Sequence, residues 1–67
     1  MSHFYLKFKT DNAAFDDGHG GRAEIARILR ELARRVEGGE SMDKHSNILD
    51  NNGNIVGTFV HKEMPDT

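Results

Sequence analysis

Apolar residues between positions 22 and 36 recur with the period of an α-helix, in the segment RAEIARILRELARRV. The spacing i, i+3, i+4, i+7 places one set of side chains on a single stripe of the helix surface. That set consists of Ile25, Ile28, Leu29, Leu32, Ala33 and Val36. Gly38 and Gly39 follow, and glycine readily adopts the left-handed conformation that ends helices. We therefore predict one amphipathic helix that packs its stripe against a sheet.

Three other segments have the short apolar character of β-strands. Residues 3–9 alternate strictly, and the side that we expect to lie under the helix consists of Phe4, Leu6 and Phe8. Residues 46–50 and 54–62 are separated by Asn-Asn-Gly, and Asn-Gly between apolar runs is the strongest short-range signal for a hairpin. The long connection before the helix contains one aromatic residue, Phe15, which we expect to fold back onto the core.

The order strand, helix, strand, strand predicts a two-layer α+β fold. A helix of this length returns the chain to the end where the first strand began, so the first two strands should run parallel. The hairpin makes the third strand antiparallel to both, and a right-handed crossover places it between them, in order 1-3-2. The result would be one small domain at residues 1–62, followed by a flexible tail at residues 63–67.

The sequence of the hairpin does not show which of its sides faces the helix. One side of the last strand carries Gly57 and Phe59, and the other carries Val56 and Val60. We favour Gly57 and Phe59 beneath the helix, because a glycine lets a packed element approach closely. The other face of the sheet would then be uncovered, and a contiguous exposed apolar area usually marks an interface. The predicted dimer face consists of Tyr5, Lys7, Val56, Thr58 and Val60.

The composition limits the kinds of metal site and partner that the chain can have. The 67-residue chain has no cysteine, which excludes a disulfide framework and a thiolate zinc site. A chain this short buries a small core, so oligomerisation or a partner is the expected source of further stability. No segment has the pattern of a signal peptide or the length of a membrane span, so we expect a soluble intracellular protein without membrane association. The net charge of -2 argues against attraction of nucleic acid to the whole surface.

The polar side of the helix concentrates basic charge. It carries five of the nine lysine and arginine residues, and these are Arg22, Arg27, Arg30, Arg34 and Arg35. Glu24 and Glu31 are spaced to form pairs with arginines within the helix, so a solvated helix surface is the favoured interpretation. The second interpretation is a binding surface for phosphates or for an acidic protein, and it makes these arginines the predicted binding residues.

The remaining motifs give little support for catalysis. The segment DGHGGR precedes the helix but lacks the GK[ST] ending of a P-loop and the GxGxxG of a dinucleotide site, so a flexible loop is favoured over a phosphate cradle. Asp16, Asp17 and His19, in and beside this segment, are the only clustered acid-base candidates, with no evident pocket around them. Three histidines are expected at one end of the sheet without the close spacing of metal ligands, and they are His3, His45 and His61. We predict no enzyme, no catalytic residue, no metal site and no cofactor.

Three segments carry a resemblance to a known set of proteins. KTDNAAF, AEIARILREL and DNNGNIVG, within residues 4–60, resemble small uncharacterised proteins encoded by phages and prophages of bacteria. The resemblance implies no activity and no catalytic residues. It does imply an accessory phage protein, and small phage proteins without catalytic motifs commonly act by binding.

The predicted function is therefore a small phage-encoded binding protein that inhibits or sequesters a host factor, with an anti-phage defence component such as a CRISPR effector as the expected target. We expect a homodimer in the host cytoplasm. The alternative is a module that binds a nucleotide or nucleic acid through the helix arginines and the glycine-rich loop. Its affinity for that ligand would fall steeply as the salt concentration rises. A third class is a structural component of the virion.

Overall fold

The computed structural model describes residues 2–63 and contains one α-helix and a three-stranded sheet. The elements in chain order are β1 (Ser2–Phe8), a 3-10 turn (Ala13–Phe15), α1 (Arg22–Glu37), β2 (Ser46–Leu49) and β3 (Ile55–Glu63). β3 lies between the other strands and pairs antiparallel with both, so the predicted α+β fold and the order 1-3-2 are confirmed. The predicted tail lies outside the described residues except for Glu63, which is the last residue of β3.

Glycines set both ends of α1. Gly21 precedes the helix with φ of 77°, and a Cβ atom there would lie 2.9 Å from the Cβ of Phe15. Phe15 itself is buried, which confirms that the connection folds back onto the core. At the other end, the amide of Gly38 donates to the carbonyl of Arg34, and Gly39 adopts φ of 91°, so the predicted glycine ending is also confirmed.

The core lies between α1 and the β2–β3 half of the sheet. Its buried side chains come from the connection, the helix and both strands of the hairpin, and they are Phe15, Ile28, Leu32, Ile48, Val56 and Phe59. Phe59 has no exposed surface, which confirms its predicted place beneath the helix. Burying a side chain of this size contributes about 1.5–3 kcal/mol relative to leaving it exposed.

A β-bulge changes which residues of β3 face the core. Ile48 pairs with Gly57 and Leu49 pairs with Ile55, so Val56 is the extra residue on β3. The bulge turns Val56 towards the core, while Ile55 remains 63% exposed. The expectation that Val56 lies on the outer face with Thr58 and Val60 is therefore wrong, because strict alternation does not continue through a bulge.

Gly57 has a different role from the expected one. It pairs with Phe8, and a Cβ atom at Gly57 would lie 2.0 Å from the carbonyl oxygen of Lys7 and 2.5 Å from the Cα of Phe8. The missing side chain thus makes room for the backbone of β1, and the expected reason, a close approach of the helix, is wrong.

The apolar side of β1 is covered along only part of its length. Phe8 is half-buried against the core, with its ring 6.2 Å from the ring of Phe15. Phe4 is 50% exposed and Leu6 is 38% exposed, so the expectation that the helix covers all three side chains is wrong for these two. The reason is that α1 lies towards the opposite edge of the sheet, where its Arg27 and Arg35 donate hydrogen bonds to carbonyl groups of β2.

Candidate binding surfaces

Two of the predicted binding arginines hold α1 against the edge of β2. Arg27 donates to the carbonyl oxygen of Leu49 at 3.3 Å, and Arg35 donates to the carbonyl oxygen of Asn47 at 3.0 Å. The guanidinium of Arg35 also lies 5.0 Å from the centre of the Phe59 ring, within the range of a cation–π interaction. These contacts use carbonyls that an edge strand would otherwise offer to another chain.

Each of these arginines is also paired with a carboxylate. Arg27 donates to both carboxylate oxygens of Glu24, at 2.7 and 2.9 Å, and Arg35 donates to both carboxylate oxygens of Glu40. The hydrogen bond from Arg27 lowers the pKa of Glu24, and the hydrogen bond from Arg35 lowers the pKa of Glu40. The same pairs raise the pKa of both arginines. Arg27 and Arg35 are thus occupied inside the fold.

Glu24 itself was not singled out from the sequence as a structural residue. It stands one turn before Ile28 on the helix and is only 5% exposed. Besides Arg27, its carboxylate accepts a hydrogen bond of 2.8 Å from the backbone amide of Asn51 in the β2–β3 turn. The i, i+4 spacing from Glu24 through Ile28 to Leu32 was the available signal, because it places a carboxylate in line with the buried stripe.

The other three predicted arginines remain at the surface. Arg34 pairs with Glu31 at 2.7 Å, and both side chains are largely exposed. Arg22 and Arg30 are exposed, and within residues 2–63 neither has a side-chain hydrogen bond or an ion pair. The structure therefore does not bring the five arginines together as one free cationic surface.

The glycine-rich loop uses its own carboxylate where an anion would bind. One oxygen of Asp17 accepts hydrogen bonds from the amides of His19 and Gly21, at 2.8 and 2.9 Å. These bonds, with that from Gly21 the largest contribution, lower the pKa of Asp17. A negative charge thus already occupies the amide groups that precede α1, which leaves no support for a phosphate cradle there.

Asp50 joins two segments that are distant in the sequence. Its carboxylate accepts from the amides of Asn52 and Asn54, at 2.8 and 2.9 Å, and from the side-chain amide of Asn12 at 2.7 Å. Burial would raise the pKa of Asp50, but these hydrogen bonds outweigh it and lower the pKa. Asn12 in turn caps the 3-10 turn by accepting from the amide of Ala14. The segments KTDNAAF and DNNGNIVG therefore meet through this side-chain hydrogen bond, in addition to the backbone bond from the amide of Lys9 to the carbonyl of Val56. The sequence did not reveal the side-chain link.

An apolar groove runs between α1 and β1, defined by Phe4, Leu6, Leu29, Ala33, Val36 and Met42. Leu29 is 45% exposed, comparable with Phe4 and Leu6 across the groove. The amide of Lys9 donates to the carbonyl of Val56, so odd-numbered residues of β1 direct their backbone groups towards β3. The backbone amide and carbonyl groups of Phe4 and Leu6 therefore point to the outer edge of β1, where no strand within residues 2–63 pairs with them. The groove thus borders an open strand edge.

The sheet face opposite α1 carries basic side chains around an apolar floor. The residues that line it are Tyr5, Leu6, Lys7, His45, Thr58, Val60 and Lys62. The structure therefore brings together four residues of the predicted dimer face and excludes only Val56. Val60 is buried beneath its neighbours, whereas Tyr5 and both lysines are exposed. Homodimerisation through this face stays a prediction.

No cluster of histidine, cysteine, aspartate and glutamate side chains in residues 2–63 is arranged to hold a metal ion. In the same residues, no helix combines the length and the apolar character required to cross a membrane.

Comparison of the chain with protein-family models, with curated proteins and with solved structures finds no match. The resemblance to phage proteins thus stays a prediction.

Proposed function

We propose that this chain is a binding protein that docks a partner protein along the groove between α1 and β1. The observation that carries the proposal is the open edge of β1 beside half-exposed Phe4, Leu6 and Leu29. Exposed apolar side chains next to unpaired backbone groups suit a partner that adds a strand, because main-chain hydrogen bonds and side-chain pockets then act together.

The contrast between the two edges of the sheet supports this choice. At β2, Arg27 and Arg35 donate to carbonyls that would otherwise pair with another chain. At β1, no described side chain donates to the backbone of Phe4 or Leu6. Proteins generally block or shorten exposed edge strands, and an unblocked edge seven residues long is where pairing with another chain is expected.

The expected partner is a host factor, and its sequestration is the expected mode of action. This part of the proposal rests on the resemblance to phage proteins, which makes an anti-phage defence component the favoured target. Inhibition needs only a surface that competes with the target's own contacts, and a small domain with one apolar groove can supply it.

Affinity purification from bacterial host lysate tests the proposal with a matched pair of variants. Leu6→Lys places a charge in the groove, and Ile55→Lys makes the same kind of change at a more exposed position of β3. We expect a partner that copurifies with the wild type and with Ile55→Lys but is lost with Leu6→Lys, while circular dichroism shows both variants folded. A partner retained by Leu6→Lys, or the absence of any specific partner, would contradict the proposal.

A further inference from the structure

The outer face of the sheet has an arrangement that the groove does not explain. The register of β1 and β3 places three pairs across it, namely His3 with Lys62, Tyr5 with Val60, and Lys7 with Thr58. Successive side chains of a strand alternate between faces, so these residues share the side opposite α1. Val60, which is 2% exposed, forms the floor between the two strands.

The charge on this face has one sign. Lys7 and Lys62 lie on it together with His3 and His45, and none of the seven residues that line it carries a carboxylate, in a chain with 11 acidic residues. Within residues 2–63, neither lysine is paired with a carboxylate, whereas three of the helix arginines are. The unpaired positive charge of the described chain is thus presented by the sheet as well as by the exposed side of α1.

Two rings lie side by side among these charges. The ring centres of His3 and Tyr5 are 6.0 Å apart, with 36° between the planes, and both side chains are exposed. Rings on a sheet surface stack on unpaired bases, and neighbouring lysines bind the phosphates. We propose that the outer face of the sheet binds single-stranded nucleic acid, with Tyr5 as the stacking residue and Lys7 and Lys62 as the phosphate contacts.

The same charge weighs against a second copy of the chain as the occupant. A two-fold interface places the same patch on both subunits. Lys7 and Lys62 would then face lysines and histidines of the partner with no carboxylate among the lining residues to pair with them, and like charges across an interface are unfavourable. A polyanion with exposed bases is complementary to both the charge and the rings.

Fluorescence anisotropy with labelled twelve-nucleotide oligo-dT and oligo-U tests the proposal. Two phosphate contacts to a single strand predict a slope of about -1.4 for log affinity against log salt, or about sevenfold weaker binding at 200 mM than at 50 mM salt. Lys7→Ala should halve that slope. Tyr5→Leu should weaken binding about fivefold or more at fixed salt without changing the slope, and Tyr5→Phe should restore binding because it keeps the ring.

Arg30→Ala is the matched control. It removes the same charge from an exposed, unpaired position on α1, so it should leave oligonucleotide affinity unchanged. Equal losses in Arg30→Ala and Lys7→Ala would show general charge attraction and overturn the proposal. The proposal would also be overturned if Tyr5→Leu bound as tightly as the wild type, or if neither oligonucleotide bound at 25 mM salt. A wild-type dimer that dissociates in Lys7→Ala would overturn it as well. Because Tyr5 and Lys7 do not line the groove, these substitutions leave intact the docking surface that Leu6→Lys tests.

Discussion

Replacing Glu24 by glutamine is expected to lower the free energy of unfolding by about 2 kcal/mol at pH 7, because it removes a buried charge from a satisfied network. Oε2 of Glu24 accepts from Arg27 and from the amide of Asn51, while Oε1 accepts from Arg27. A glutamine has only one acceptor oxygen, so at least one hydrogen bond to a charged group is lost. Such a bond contributes about 1.5–3 kcal/mol.

Thermal unfolding followed by circular dichroism measures this loss. For a domain of this size, about 2 kcal/mol corresponds to a decrease in Tm of about 8–16 °C. Glu31→Gln is the control, because Glu31 pairs with Arg34 at the same i, i+3 spacing but with 49% of its side chain exposed. An exposed pair of this kind contributes about 0.5 kcal/mol, so the control should shift Tm by about 2–4 °C.

The pH dependence gives a second check on the same residue. Hydrogen bonding from Arg27 lowers the pKa of Glu24 in the folded state below its ordinary value of 4.5. The unfolded chain therefore binds the proton more readily, and the stabilisation is complete above pH 4.5 and declines as the pH falls through the lowered value. The difference in Tm between the wild type and Glu24→Gln should therefore become smaller as the pH falls through the lowered pKa of Glu24. Equal Tm shifts in the two glutamine variants at pH 7 would refute the reasoning from burial.

Two further substitutions test the sheet. Gly57→Ala should lower Tm by more than about 8 °C. The added Cβ atom would lie 2.0 Å from the carbonyl oxygen of Lys7, so the β1–β3 pairing would have to shift. A Tm within about 2 °C of the wild-type value would contradict this close approach. Val56→Lys should unfold the domain, since burying an unpaired charge costs more than the net stability of about 5 kcal/mol expected of a small domain, whereas Ile55→Lys should stay folded. The reverse outcome in urea titrations would contradict the bulge.

The fold followed from local patterns that the structure preserves. The apolar stripe of α1, the glycines after it and the Asn-Gly turn each act within a few residues, and together they allowed one economical topology. The bulge at Val56 could not be predicted in this way, because it depends on how β2 and β3 pair. No residue in the turn between them indicates the shift of register.

The candidate surfaces were harder to predict, because they depend on contacts between distant segments. The helix considered alone predicts pairs of Arg27 and Arg35 with its own glutamates, but the edge of β2 also binds both arginines, and Glu40, outside the helix, pairs with Arg35. Once α1 is held towards β2, Phe4 and Leu6 are left uncovered at the other edge, on the side of the sheet that alternation alone assigned to the core.

Amide hydrogen exchange of β1 tests the central claim most directly. In the free protein, the amides of Phe4 and Leu6 should exchange faster than those of Tyr5 and Lys7, because only the latter point towards β3. When a partner purified with the wild type is bound, Phe4 and Leu6 should become protected. Protection of these two amides in the free protein, or a bound partner that protects Asn47 and Leu49 at the β2 edge instead, would contradict docking along the groove between α1 and β1.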